Sequence, residues 1–255
     1  MNYYCRNKPL KMDIKGAGMI EPNMATMLCY ILTDAQFPPN TPLNPILKSS
    51  MDVSFNCISV DSDESTSDTA VLISSSKIPT DIDEFSQALT QVCTSLSGDV
   101  VRNGEGTGHV IQVTLQNYYK LIDTHQARNI GKNIVNSPLF KCAVAGNDPN
   151  IGRLASAIGS FLGKLDDDVN VQNLSITLGG NVIFDKGSFV MDAEKEVVLS
   201  DYMKDAQMDE HGDFPSHQKC VEIVVDFGVV GDEEVVVWGS DLTAEYVSIN
   251  SDYRS

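Results

Sequence analysis

Apolar residues recur at helical spacing in some stretches of the chain and alternate with polar residues in others. Over residues 80–96, Phe85, Leu89, Val92 and Leu96 fall on one face, which predicts a helix with Thr80 as its N-cap. Three further helices are predicted: residues 124–135, a helix that starts at Pro149 after an Asp148 N-cap, and residues 242–249 after an Asp241 N-cap.

Strands are predicted where apolar positions alternate or form short runs between turn residues. The predicted strands are residues 27–32, 110–115, 139–146, 174–178, 182–184, 221–227 and 234–238, the first of them buried. Gly231 and Asp232 are expected to join the last two as a hairpin. Because helices and strands are interleaved, the sequence predicts an α/β or α+β fold, with a boundary near residues 115–125.

The charge and apolar content exclude several classes of protein. The 255 residues include 18 basic and 35 acidic side chains, a net charge of −17. A surface this acidic repels phosphate backbones and anionic membranes, which argues against nucleic-acid binding through a basic surface. The longest apolar run, residues 27–32, is too short for a transmembrane helix. Residues 1–10 lack the apolar core of a secretory signal.

Cysteine and histidine spacing indicates neither a disulfide scaffold nor a metal site. The six cysteines are widely spaced without a C-x-x-C pair, so we expect buried thiols in a reducing compartment. The four histidines form no ligand pair at helical spacing, which argues against structural zinc.

A Gly-rich turn and a Pro-Asn turn precede Ala25, Thr26 and the first predicted strand. If the Ala25–Thr26 peptide bond is cut, Thr26 gains a free α-amine with a pKa of about 8, which can act as the base for its own hydroxyl. The alternative is that Thr26 is an ordinary β-branched strand residue.

Two other segments have candidate binding groups. Glycines flank Glu105 within residues 101–108, which can expose its carboxylate toward an ammonium group; the alternative is a solvent loop. The segment lacks the Gly-Lys-Ser/Thr ending of a phosphate loop. The last 16 residues remain rich in hydrogen-bonding side chains up to Ser255, although a polar tail would have the same composition.

Together these segments resemble the ornithine acetyltransferase family, the bifunctional glutamate N-acetyltransferases of arginine biosynthesis. The resemblance runs from about Lys11 to Ser255 with order and spacing kept. The similar segments are residues 15–20, 22–28, 59–63, 65–69, 101–106, 136–139, 146–153 and 241–254. Ser67 and Ile151 depart from the family's usual asparagine and tryptophan, and Ser255 stands where the family often has threonine.

The resemblance implies that the chain cuts itself between Ala25 and Thr26 and that Thr26 becomes the catalytic nucleophile. Thr26 would accept the acetyl group of N-acetylornithine and pass it to glutamate in a ping-pong reaction, and many members also accept acetyl-CoA as donor. The implied substrate contacts are Lys15, Thr26, Glu105, Asn250 and Ser255, with Glu105 facing the cationic part of ornithine. No metal or bound cofactor is implied.

The implied fold is an α/β layered sandwich of the ornithine acetyltransferase type with a smaller C-terminal α/β domain. Residues 1–25 would be a remnant of the precursor segment, residues 26–118 the nucleophile-bearing part and residues 119–255 the C-terminal domain. The N-terminal half of the family fold, including its oxyanion-stabilising Thr-Gly pair, would be missing. We expect an α-chain from the same precursor, an (αβ)₂ assembly, and a location in the cytoplasm or the mitochondrial matrix rather than secretion.

Three hypotheses follow from this resemblance. The chain is the β-chain part of an acetyltransferase, or a truncated isoform without catalysis, or an N-terminal-nucleophile aminopeptidase of related fold. An exposed apolar sheet face or edge would be typical of an incomplete fold. Aminopeptidases of that kind use serine in a different local context, and the Ala25-Thr26-Met27 step argues against them.

Overall fold

The computed structural model describes residues 2–5, 8–15, 18–21, 28–64, 69–165, 169–209 and 219–252, with residues 2–5, 8, 9 and Lys15 described by their backbone alone. The chain divides into two compact units, residues 1–104 and 105–255. The domain boundary predicted between residues 118 and 119 differs from this division, because strand Val110–Gln116 pairs with later strands inside the second unit. The functional roles given to the three predicted segments remain predictions.

The first unit is built on a four-stranded sheet with two helices. Its strands, in chain order, are β1 Asn2–Cys5, β2 Lys8–Lys15, β3 Leu28–Gln36, the short β4 Ile58–Ser59 and β5 Thr69–Pro79. Its helices are α1 Leu43–Asp52 and α2 Ile82–Arg102. Strands β1, β2, β3 and β5 form the sheet, in the order β1-β2-β3-β5. Its neighbouring strands are antiparallel except for β3 and β5, which are parallel.

One face of this sheet is apolar and exposed. Alternate residues of β3 are buried, whereas Leu28, Tyr30 and Leu32 are 37%, 45% and 42% exposed. The neighbouring Ile73 of β5, paired with Leu32, is 50% exposed. The predicted strand therefore exists over the described residues Leu28–Gln36, but the expectation that it is buried is wrong, because only one of its two faces is covered.

The second unit contains a mixed sheet with helices. Its strands are β6 Val110–Gln116, β7 Ser175–Leu178, β8 Asn181–Asp185, β9 Ser188–Phe189, β10 Val221–Asp226 and β11 Glu234–Ser240. Its helices are α3 Thr124–Val135, α4 Pro138–Ala145, α5 Ile151–Leu162, α6 Ala193–Ala206 and α7 Ala244–Asp252. Within the unit the strand order is β11-β6-β10-β7-β8-β9, and β6 and β10 are parallel.

Two glycines allow α3 to lie close against β11. A Cβ on Gly131 of α3 would be 2.6 Å from a methyl group of Val237, and a Cβ on Gly239 would be 2.4 Å from the Cβ of Val135. Real Cβ atoms do not approach this closely, so each glycine admits a valine of the other element. This reciprocal packing fixes α3 on the sheet.

Gly239→Ala is expected to lower the free energy of unfolding by about 1–3 kcal/mol, because the added methyl overpacks this contact. Gly159→Ala is the matched control, since that exposed helical glycine has no atom within 4 Å of the new Cβ. It should raise stability by about 0.5–1 kcal/mol through helix propensity. Urea denaturation of both variants measures the difference, and equal midpoints would contradict the packing argument.

The mixed α/β class predicted from the sequence is confirmed, and so are most of the long elements. Helix α3 matches its predicted bounds, and β6 and β10 differ from theirs by one residue. Predicted residues 139–146, by contrast, form helix α4 and not a strand. Pro138 occupies the first helical turn, and a short apolar run does not by itself distinguish a strand from a buried helix.

The predicted hairpin over Gly231 and Asp232 is also wrong. Strand β6 lies between β10 and β11 and pairs with both of them, so the two later strands are not neighbours. Turn-forming residues at 231–232 predict a reversal of the chain, but they do not predict that another strand lies between the two strands they connect. Strands β1, β2, β4, β5 and β9 and helices α1 and α6 have no counterpart among the predicted elements.

The predicted N-caps are displaced from the observed ones. Asp81 accepts from the backbone N–H of Glu84 and caps α2, while the Thr80 hydroxyl donates to the carbonyl of Ile78. For α5, the cap is Asn150 rather than Asp148, since its side chain accepts from the backbone N–H of Arg153. Each predicted cap lies one or two residues too early because neighbouring polar residues compete for the same role.

Four of the five cysteines with described side chains are buried, as predicted, whereas Cys142 is exposed on α4. Burial raises the pKa of the Cys29 thiol to about 12 and that of Cys93 still further, so neither forms a thiolate at neutral pH. In the part of the chain that the structure describes, no helix is long and apolar enough to span a bilayer.

Candidate functional site

The structure describes two of the predicted site side chains, Glu105 and Asn250. Ala25, Thr26 and Ser255 lie outside the described residues. Lys15 is the last residue of β2, and only its backbone is described.

Glu105 and Asn250 are brought together although 145 residues separate them in sequence. The side-chain amide Nδ2 of Asn250 donates to Oε2 of Glu105 over 3.2 Å. It also donates to the carbonyl of Tyr246 one turn earlier in α7, which orients the amide. Glu105 is partly buried and Asn250 is exposed, so the pair presents a carboxylate and an amide to solvent from one place in the second unit.

Gly106 holds the Glu105 turn directly against the start of α7. It adopts φ +63°, and a Cβ there would lie 2.4 Å from the backbone nitrogen of Tyr246. The Thr243 hydroxyl donates to the carbonyl of Gly106 over 2.6 Å and accepts from the backbone N–H of Tyr246 over 3.1 Å. Thr243 thus acts as an N-cap for α7 and links that helix to the Glu105 turn.

Next along the chain, Gly108 and His109 are bound to Asp241. One carboxylate oxygen of Asp241 accepts from the backbone N–H of Gly108 over 2.9 Å, and the other lies 2.7 Å from Nδ1 of His109. The backbone N–H of Asp241 donates to the carbonyl of His109. His109 is fully buried and Asp241 is 4% exposed. Asp241 therefore binds the segment around Glu105, and the prediction that it caps α7 is wrong, because its carboxylate is engaged by Gly108 and His109.

The second ring nitrogen of His109 extends this contact to the end of α4. Its Nε2 lies 3.0 Å from Oδ1 of Asn147, whose Nδ2 donates to Oε1 of Gln207 over 3.1 Å. The backbone N–H of Met208 donates to the carbonyl of Gly108. We call Asp241, His109 and Asn147 the buried network: the His109 and Asp241 side chains are fully buried and Asn147 is half-buried, whereas Gln207 at its outer end is exposed. The network joins residues 105–109, 241–250 and the start of segment 146–153.

The pairing of His109 with Asp241 is the feature of this site that the sequence does not indicate. His109 has no ligand pair at helical spacing, and Asp241 lies in the similar segment 241–254 and is predicted as a helix cap. They are 132 residues apart, so no local pattern indicates that they pair. Among the described residues, no group of three or more His, Cys, Asp and Glu side chains is placed to hold a metal ion.

In the first unit, the described residues just before the candidate cleavage bond are tightly held. The two carboxylate oxygens of Asp61 accept from the backbone N–H groups of Met19 and Ile20 over 2.7 and 2.8 Å. The backbone N–H of Val60 donates to the carbonyl of Ile20 over 2.7 Å, and the Ser59 hydroxyl donates to the carboxylate of Glu21. The segment 18–21, whose first three residues belong to the family resemblance, is thus joined to the loop 59–63, which also belongs to it.

Comparison with known proteins identifies relatives over nearly the whole chain. Residues 9–255 match the ArgJ family. The chain is 40% identical over 240 residues to the arginine biosynthesis bifunctional protein ArgJ 2 of Clostridium acetobutylicum, covering 94% of this chain and 56% of that protein. It is 38% identical over 248 residues to the glutamate N-acetyltransferase of Methanopyrus kandleri, with 94% and 58% covered.

The fold is also similar to a solved structure, the arginine biosynthesis bifunctional protein argJ of Bacillus halodurans. The TM-score is 0.72 at 29% identity, and the match covers 88% of this chain and 98% of that chain. The chain therefore spans little more than half the length of the curated relatives, but nearly all of the solved chain. This likeness supports the layered α/β fold inferred from the sequence.

Proposed function

Since this chain belongs to the ArgJ family, we propose that it is the nucleophile-bearing part of an enzyme that moves acetyl groups from N-acetylornithine to glutamate. The observation that supports this most directly is the contact between Glu105 and Asn250. The resemblance assigns both to the substrate site, and the fold brings them within hydrogen-bond distance across 145 residues.

The proposed reaction transfers one acetyl group through an ester. The Thr26 hydroxyl adds to the acetamide carbonyl, the amide C–N bond breaks, and the hydroxyl proton passes by way of the Thr26 α-amine to the departing amine of ornithine. The amine of glutamate then attacks the Thr26 ester, the ester C–O bond breaks, and a proton returns to the hydroxyl. The exposed edge of the Glu105 carboxylate would attract the side-chain ammonium of ornithine.

The proposal includes a partner chain made from the same precursor. The chain covers 56% of its Clostridium acetobutylicum relative, so a large segment of that protein has no counterpart here. The exposed apolar face formed by Leu28, Tyr30, Leu32 and Ile73 supports such a partner, because soluble proteins rarely leave a contiguous apolar face open. An incomplete, inactive isoform would expose the same face. Whether the native protein contains a second chain therefore distinguishes the two hypotheses.

Other parts of the proposal rest on the resemblance alone. They are acetyl-CoA as a second acetyl donor, the (αβ)₂ assembly, and location in the cytoplasm or mitochondrial matrix. The name of the Methanopyrus kandleri relative supports glutamate as the acceptor.

Asp61→Asn is expected to slow self-cleavage of the precursor by about 10-fold. The substitution replaces one of the two oxygens that accept from the backbone N–H groups of Met19 and Ile20 with a donor. Without that hydrogen bond the segment is held less well, which raises the activation free energy of cleavage by about 1–2 kcal/mol. Asp63→Asn is the control, since it removes the same charge from an exposed position in the same loop. Gel analysis of cleavage after cell-free synthesis measures both rates. Equal rates in the two variants would contradict the proposed role of Asp61.

The function is tested with the native protein purified from its source together with whatever chains accompany it. Transfer of acetyl from N-acetylornithine to isotopically labelled glutamate is expected, accompanied by a second chain. The isolated 255-residue chain, which lacks that segment, is the control and should be inactive. A native protein that consists of one uncut chain and transfers no acetyl group would contradict the proposal and favour the inactive isoform.

A further inference from the structure

We propose that His109 is a positioning residue for the substrate site, and that with Asp241 and Asn147 it sets the geometry of Glu105 and Asn250. This inference rests on the proposed function for the identity of the substrates. Its structural part, that the buried network orders residues 105–109 and 243–250, stands independently of that function.

The network lies where three distant segments of the second unit meet. Asp241 precedes α7, His109 precedes β6, and Asn147 follows α4. His109 binds the other two from opposite sides of one imidazole ring, at 2.7 and 3.0 Å. A planar ring with two nitrogens at fixed directions holds its partners in one arrangement, so a shift of either segment breaks a hydrogen bond.

Because the central side chains are buried, breaking the hydrogen bonds of this arrangement costs free energy. His109 and the Asp241 side chain have no exposed surface, and the backbone N–H of Gly108 shares the same carboxylate. A buried polar group that loses its partner regains no bond from water, so the arrangement that satisfies all of them is strongly preferred. The network is therefore suited to fixing the relative position of the two segments that contain Glu105 and Asn250.

The connection from the network to the site is short. His109 is four residues from Glu105, and between them Gly108 and Gly106 are bound to Asp241 and Thr243. On the other segment, Thr243 leads into α7, where Tyr246 and then Asn250 follow turn by turn. These contacts form a series of cross-links that begins at His109 and Asp241 and ends at Glu105 and Asn250.

The same geometry excludes a direct proton-transfer role for His109. Both ring nitrogens are occupied by protein partners, and the side chain has no exposed surface through which substrate can reach it. Its effect on the reaction must act through Glu105 and Asn250. Because Glu105 is the group expected to face the ornithine ammonium, a displaced Glu105 should weaken N-acetylornithine binding more than glutamate binding.

The test compares three variants of the native, assembled protein. His109→Leu keeps the approximate volume and removes both ring hydrogen bonds. His109→Asn places an amide near the position of Nδ1, where it can still donate to Asp241. The control is Tyr202→Phe, which removes a half-buried hydroxyl bonded to the carbonyl of Cys220 and the N–H of Glu222, elsewhere in the same unit.

In His109→Leu we expect the KM for N-acetylornithine to rise by about 10- to 100-fold, the effect of an ångström-scale displacement, with a smaller rise for glutamate. Amide hydrogen exchange should accelerate in residues 104–109 and 243–250 while the sheet stays protected. His109→Asn should recover part of both effects. Tyr202→Phe should leave the ratio of the two KM values and exchange in these two segments unchanged.

Two results would overturn the proposal. One is an unchanged KM ratio in His109→Leu with unchanged exchange in the two segments. The other is exchange that accelerates evenly over the whole unit, since that indicates a general loss of stability. If the unmodified protein transfers no acetyl group, the proposed function fails, but local exchange in residues 104–109 and 243–250 still decides the structural part.

Discussion

Thr26→Ala is expected to abolish both self-cleavage and acetyl transfer, with a rate loss of about 10³-fold or more. The variant lacks the hydroxyl that attacks the Ala25 carbonyl, and without cleavage no free α-amine forms at residue 26 to act as the base. The precursor should therefore remain one chain. Gel electrophoresis measures the cleavage, and transfer of labelled acetyl from N-acetylornithine measures the activity.

Thr26→Ser is the matched control because it retains a hydroxyl at the same position. It should still be cut and should still transfer acetyl groups, at a reduced rate. Cleavage and transfer that survive unchanged in Thr26→Ala would show that another residue is the nucleophile.

Gly106→Ala is expected to lower kcat/KM for N-acetylornithine by about 10- to 100-fold. The new methyl group would lie 2.4 Å from the backbone nitrogen of Tyr246, so α7 must move away from the Glu105 turn. Because Asn250 lies one turn further along α7, its contact with Glu105 should be lost. Steady-state kinetics of the assembled enzyme, measured separately with each substrate, provide the comparison.

Gly180→Ala is the control for backbone conformation. Gly180 has φ +75° and Gly106 has φ +63°, but no atom lies within 4 Å of a Cβ on Gly180. Both variants therefore incur about 1 kcal/mol of left-handed strain, and only Gly106→Ala adds the steric overlap with α7. Equal kinetic constants in the two variants would contradict the claim that Gly106 sets the position of α7.

The sequence predicts elements well where periodicity is long, as in α2 and α3, and poorly where the decisive contacts are tertiary. Residues 139–146 are a short apolar run whose helical state depends on Pro138 and on the packing of α4. The placement of β6 between β10 and β11 is a property of the sheet, and no residue near 231 reports it. Local sequence patterns predict whether a long segment is a helix or a strand more reliably than they predict which other elements lie beside it.

The same distinction applies to the site. The family resemblance implies Glu105 and Asn250 as substrate contacts, and the glycines around Glu105 give a local reason to expect an accessible carboxylate. The contact between them, and the buried network behind it, involves pairs separated by 38 to 145 residues. An isolated histidine and an aspartate before a predicted helix have many ordinary roles, so their pairing required the folded chain.

Intact-mass and peptide mass spectrometry of the native protein tests whether Thr26 is the acetyl acceptor of a self-cleaved acetyltransferase. The protein is incubated with N-acetylornithine in the absence of glutamate. We expect a chain that begins at Thr26, gains the mass of one acetyl group on that residue, and loses it when glutamate is added. An uncut chain that still contains the Ala25–Thr26 bond and gains no acetyl group would contradict this role of Thr26.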